Sequence, residues 1–123
     1  MKNKLISTCF AGMIASTNPA EVCSLDYAHR HRSHLTQETR RAEFAKAGVD
    51  WADRANYELD HIVPLCLGGA DTPENRTPEP LAEALAKDEV EKFVCKAVCN
   101  EHTMSLEKAQ SIFLNDQWRA WRE

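Results

Sequence analysis

Tyr57-Glu58-Leu59-Asp60-His61-Ile62-Val63-Pro64-Leu65, followed by Gly68-Gly69 and then Asn75, is the stretch on which the reading of this chain turns. Apolar Leu59, Ile62 and Val63 surround an acid and an imidazole set side by side. Neighbouring residues of a strand point to opposite faces unless a bulge or a strand end re-aims one of them. Pro64 and Gly68-Gly69 supply such an ending. A strand that stops at a carboxylate and an imidazole, then crosses a polar loop to an Asn, has the parts of a small metal site. The carboxylate suits a hard divalent cation, and the imidazole can act as base or ligand.

Working outward, Tyr57 to Val63 reads as the first strand. Residues 66 to 74 form a loop, and Asn75 to Pro80 a short extended piece that Pro78 and Pro80 confine to an edge. Leu81 to Val98 is the principal helix, with Leu81, Leu85, Val90, Phe93, Val94 and Ala97 as its expected buried stripe. Asn100 ends it, and Ser105 caps a last helix from Leu106 to about Asn115. Leu106, Ala109, Ile112 and Phe113 face inward there, and Trp118 and Trp121 are expected to close the core. On the other side, Thr36 caps a helix over Gln37 to Ala47, which Gly48 stops. Its apolar side (Ala42, Phe44, Ala45) is narrow. Val49 to Asn56 is a connection, and residues 18 to 35 are expected to be irregular.

At 123 residues the chain has room for one domain. A hydrophobic content of 43% argues against disorder. The net charge of −4 argues against a strong non-specific nucleic-acid binder, so any such contact needs a local basic surface. From His29 to Lys46 there are five Lys/Arg, three His and two acids. Arg30, Arg32, Arg40 and Arg41 in this arm and helix are the expected phosphate contacts; the alternative is a solvated polar surface.

Residues 1–17 read as an export leader, with Lys2 and Lys4 ahead of a short apolar run that is too short to span a bilayer. The alternative is an ordinary N-terminal helix. Removing the leader leaves 13 bases against 19 acids, a net charge of −6. It also leaves Cys23, Cys66, Cys95 and Cys99, an even count that in a small exported chain suggests two disulfides. Three connectivities are open. Cys95 and Cys99 sit one helical turn apart, which favours different partners, and Cys23–Cys99 with Cys66–Cys95 is the expected set. Four buried thiols, or a structural zinc site of poor spacing, are the alternatives. The expected location is secreted or periplasmic, and cytoplasmic if the leader is none.

Asp60-His61-Ile62-Val63-Pro64, Gly68-Gly69, and Asn75 fourteen residues after the His resemble the core of HNH nucleases. The likeness continues through Ala84, Lys87-Asp88 and Glu91, then Val98-Cys99, Ser105-Leu106 and Ala109-Gln110. It resembles a small HNH subfamily of bacteria and their phages and covers roughly residues 57 to 121. The resemblance implies an α+β fold with a ββα-metal core at 57–123, preceded by an N-terminal basic arm and helix at 18–56 and completed by a C-terminal helix. It implies one divalent ion, Mg²⁺ first, with Mn²⁺, Ni²⁺ or Zn²⁺ as alternatives. His61 becomes the general base, Asp60 a metal ligand, and Asn75 the residue that fixes the loop and orients His61.

The chain departs from that pattern on the helix, where HNH cores supply a His or Asn as the last ligand. Residues 83 to 88 contain neither. Asp88 or Glu83 is the expected replacement, and Lys87 is assigned to the scissile phosphate. The implied function is a metal-dependent HNH endonuclease cutting DNA with little sequence specificity, with no membrane contact and with a homodimer or partner protein left open. The rival is a catalytically degenerate HNH scaffold that binds nucleic acid or protein, favoured by the missing ligand and the acidic charge.

Overall fold

The computed structural model describes residues 12–121. Helix and strand are mixed, with one two-stranded antiparallel sheet. In chain order the elements are α1 (Pro19–Val22), α2 (Tyr27–His31), α3 (Gln37–Lys46), β1 (Tyr57–His61), β2 (Arg76–Pro80), α4 (Leu81–Cys99) and α5 (Leu106–Leu114). Short 3₁₀ turns at Trp51–Asn56, Leu65–Leu67, Pro73–Asn75 and Gln117–Trp121 join them.

Local chemistry accounts for the boundaries. Thr36 Oγ1 accepts from the Thr39 N–H at the start of α3, and Ser105 Oγ from the Lys108 N–H at the start of α5. Gly48, at φ +76°, ends the α3 region in a conformation that L side chains resist. Residues 18 to 35 are not irregular as expected. Asn18 Oδ1 accepts from the Ala20 N–H, and Pro19 occupies the first helical position, so the pair opens α1. Buried Tyr27 then anchors α2 to the core.

β1 and β2 pair so that Tyr57 faces Pro80, Asp60 faces Thr77 and His61 faces Arg76. β1 ends two residues earlier than expected. The Ile62 N–H donates to the Asn75 carbonyl and the Val63 N–H to Asn75 Oδ1, which draws the chain out of the ladder.

The core gathers Val22, Tyr27, Val63, Leu67, Val90, Val94, Val98, Leu106, Ile112, Phe113 and Trp118 from α1, α2, the inter-strand loop, α4, α5 and the C-terminal turn. Trp118 closes it as expected, whereas Trp121 is 39% exposed and lies against Phe93 at the surface. The buried side of α4 is Ala84, Lys87, Val90, Val94, Ala97 and Val98. Leu81, Leu85 and Phe93, expected inside, are exposed. The helix is rotated because Lys87 points inward, and an arc that contains residues 84, 87 and 94 leaves 81, 85 and 93 outside it.

Disulfides Cys23–Cys99 and Cys66–Cys95 tie α1 and the inter-strand loop to α4, with Cα separations of 5.2 and 6.2 Å. Both are consistent with an extracellular or periplasmic location. Among the described residues no helix is long and apolar enough to cross a membrane. Of the stretch read as a leader, residues 1–11 lie outside the described residues. Residues 12–17 run along the inter-strand loop: Ile14 bridges Gly69, the Ala70 N–H donates to the Met13 carbonyl, and the Gln110 side chain donates to the Ser16 carbonyl.

Candidate active site

The site begins where β1 leaves the sheet. Asn75 is fully buried and carries the turn: Oδ1 accepts from the Val63 N–H, and Nδ2 donates to the carbonyls of Val63 and Ala70, all at 2.8–2.9 Å. Gly69 packs under it so closely that a Cβ there would lie 1.9 Å from the Val63 carbonyl oxygen and 2.9 Å from Asn75 Nδ2. Asn75 thus holds the backbone just after His61, and its side chain is spent on main-chain groups.

His61 is oriented by a residue that the motif does not contain. Its Nε2 lies 2.8 Å from Asp71 Oδ1, and its side chain is 12% exposed. Asp71 Oδ1 also accepts from Arg76 Nη1 at 2.8 Å, and Oδ2 accepts from the Ser33 N–H at 2.6 Å. Arg76 is in turn gripped by buried Glu43 of α3, Nε to Oε1 at 2.8 Å and Nη2 to Oε2 at 2.6 Å. A continuous chain therefore runs Glu43–Arg76–Asp71–His61. Burial pushes the Asp71 carboxyl up, but the hydrogen bonds from Ser33 and His61 outweigh it and hold the group well below the usual carboxylate range. A carboxylate kept ionised against the imidazole fixes its ring plane and leaves Nδ1 as the other proton-exchanging nitrogen.

Asp60 faces the opposite environment. Lys87, expected at the scissile phosphate, is instead 3% exposed; its Nζ donates to Asp60 Oδ2 at 2.7 Å and to the His61 carbonyl. Glu91 Oε2 stands 3.6 Å from the same ammonium. Glu91 is pushed up to about 8, by burial first and then by Asp60 and Asp88, with Lys87 opposing. Burial and the Asp60 charge also raise Asp88, Glu58 and Glu79, with Lys87 opposing. One buried lysine thus serves an excess of acids.

Of the proposed ligands, Asp88 lies within electrostatic reach of Asp60. Glu83 is paired with Arg119, which also approaches Glu79. Among the described residues no three His, Cys, Asp or Glu side chains gather as a metal set.

The basic arm divides. Arg30 is bound locally to Ser24 Oγ and the Leu25 carbonyl. Arg32 is exposed and acts electrostatically on Glu58. Arg40 and Arg41 project from α3, Arg41 with its guanidinium 5.4 Å from the centre of the Trp51 ring. The arm's clearest tie to the site is the main chain of Ser33, through Asp71.

Asp71, Arg76, Glu43 and Ser33 all escaped the sequence reading. An acid ten residues beyond the His, in a glycine-rich loop, carries no periodic signal; only the hairpin closes that gap. No family model, no curated protein and no solved structure matches the chain.

Proposed function

We propose that the chain is a metal-dependent endonuclease of the HNH type, hydrolysing DNA phosphodiester bonds with little sequence preference on a ββα-metal core made by β1, β2 and α4. The observation that carries this reading is the His61–Asp71 contact at the end of β1 beside Asp60. An imidazole held at one nitrogen by an ionised carboxylate is a base with the other nitrogen available. His61 takes the proton of the attacking water at Nδ1, and the paired Asp71 carboxylate stabilises the imidazolium that results. Asn75 keeps the His61 backbone in place, and Lys87 holds Asp60 at the strand end.

The donor chemistry fits a hard cation. Mg²⁺ keeps several waters and needs only one or two carboxylates besides substrate oxygens. Asp60 and Asp88 would hold it, and when bound it supplies charge stabilisation at the phosphate.

The Lys87–Asp60 ion pair favours a second reading, a scaffold that binds nucleic acid or protein without cutting, because an ammonium already neutralises the principal ligand. Plasmid nicking by the oxidised protein separates the two. It is run with Mg²⁺, Mn²⁺, Ni²⁺ or Zn²⁺ and with chelator, beside His61→Ala. Cleavage that requires metal and disappears in the variant supports the nuclease. A folded protein inert with every ion leaves the binding scaffold.

A further inference from the structure

Between α3, the Trp51–Asn56 turn and the start of β1 lies an open cavity of ≈ 580 Å³, with Gln37, Arg40, Trp51, Arg54 and Glu58 among its walls. Its floor is aromatic: the Phe44 ring stands edge-on to Trp51 at 5.2 Å and to Tyr57 at 6.2 Å. Arg54 lies 4.9 Å over the Trp51 ring, with its Nη1 donating to the Trp51 carbonyl. In a chain of net charge −4 this concavity concentrates guanidinium and carboxamide donors, against the single carboxylate of Glu58.

A second feature points to a ligand. The indole Nε1 of Trp51 is buried and has no hydrogen-bond partner among the described residues. A buried N–H left unpaired is destabilising, and an acceptor from outside the chain would satisfy it. The cavity also adjoins the proposed hydrolytic centre. Glu58 and Asp60 share a face of β1, about 7 Å apart along the strand.

We propose that this cavity is a subsite for a backbone phosphate of the nucleic-acid strand, to one side of the bond that is cut. Arg40 and Arg54 grip the phosphate oxygens, and the Trp51 N–H is the third donor. Arg41 and Arg54 are exposed and lie over the Trp51 ring, so an incoming phosphate can draw them aside to reach the N–H. The identity of the strand rests on the nuclease reading; the oxyanion chemistry of the cavity does not.

The test is binding of a short fluorescein-labelled DNA, followed by anisotropy, to the full chain carrying His61→Ala so that nothing is cut. Adding Arg40→Ala and Arg54→Ala should weaken binding about tenfold and lower the slope of log K against log salt by about one. Trp51→Phe, which keeps a ring and removes the N–H, should weaken it about threefold. Arg30→Ala, whose guanidinium is bound locally, should change it less than twofold. Binding by the double arginine variant within twofold of its parent overturns the subsite, as does a parent that binds no DNA. Near-UV circular dichroism checks that the variants fold. Nicking by the His61-intact chain is scored separately. Nicking without an arginine effect removes the subsite alone, and an arginine effect without nicking removes the nuclease alone.

Discussion

Nε2 of His61 lies 2.8 Å from Oδ1 of Asp71, ten residues further along the chain. The carboxylate is itself held from two other directions, by the Ser33 N–H and by Arg76. The imidazole therefore has one fixed ring orientation, and the arm, the hairpin and α3 all contribute to it. Three separate segments thus converge on one carboxylate oxygen pair, and on the proposed nuclease reading they position the base.

Asp71→Asn tests that role. The amide keeps the shape, removes the charge that stabilises an imidazolium, and lets the ring choose the wrong tautomer. If the proposed nuclease reading holds, nicking should fall roughly 10²–10³-fold, with near-UV circular dichroism unchanged and the acid limb of the rate profile displaced. A wild-type rate in this variant would remove Asp71 from the mechanism.

The Asp60–Lys87 pair should be strongly coupled in stability. Lys87→Met leaves a largely buried carboxylate without its cation and should cost about 3–5 kcal/mol in urea denaturation. Lys87→Met combined with Asp60→Asn should recover a substantial part of that loss, because the orphaned charge goes too. A double-mutant cycle reads the coupling directly, and a value under about 0.5 kcal/mol would mean that the two residues act independently.

Two carboxyls give the pH dependence opposite signs. Asp71 is held low in the folded chain, so its contribution is present above its unfolded value near 3.8 and is lost as pH falls. Glu91 is raised to about 8, so between 4.5 and 8 the folded chain keeps a proton that the unfolded chain has released, and stability declines as pH rises through that window. Glu91→Gln should abolish the decline: similar melting temperatures to wild type near pH 5, and a clearly higher one at pH 8. Parallel melting profiles for the two proteins would contradict the assignment.

The disulfides close segments with sequence separations of 76 and 29. Chain-entropy reasoning assigns each roughly 3–5 kcal/mol, somewhat more to the longer. Cys23→Ser/Cys99→Ser should therefore lower the denaturation midpoint more than Cys66→Ser/Cys95→Ser does. Reducing agent should destabilise the wild type strongly and each variant less. Insensitivity of the wild type to reductant would show that the bridges do not form in solution.

Much of the local architecture was legible in residue order. Thr36, Ser105 and Gly48 marked helix ends to within a residue or two, because capping is a contact between near neighbours. Cys95 and Cys99, one turn apart, pointed to separate partners, which is what the structure has. Counting the large apolar residues misplaces the stripe of α4, because Lys87, expected at the scissile phosphate, lies within it. Periodicity cannot show that a cation will be buried when its partner, Asp60, lies 27 residues away.

By itself, then, the sequence determined β1, β2, α3, α4, α5 and the strand-ending motif at Asp60-His61, all of which depend on spacing along a short segment, but not α1 and α2. The tertiary structure alone decided what each polar side chain faces. It turned Lys87 onto Asp60, brought Asp71 to His61, and set Arg76 between Asp71 and Glu43. Those pairings span 5 to 33 residues. They form because a buried charge must find an opposite charge wherever the closed hairpin and the packed helices put one.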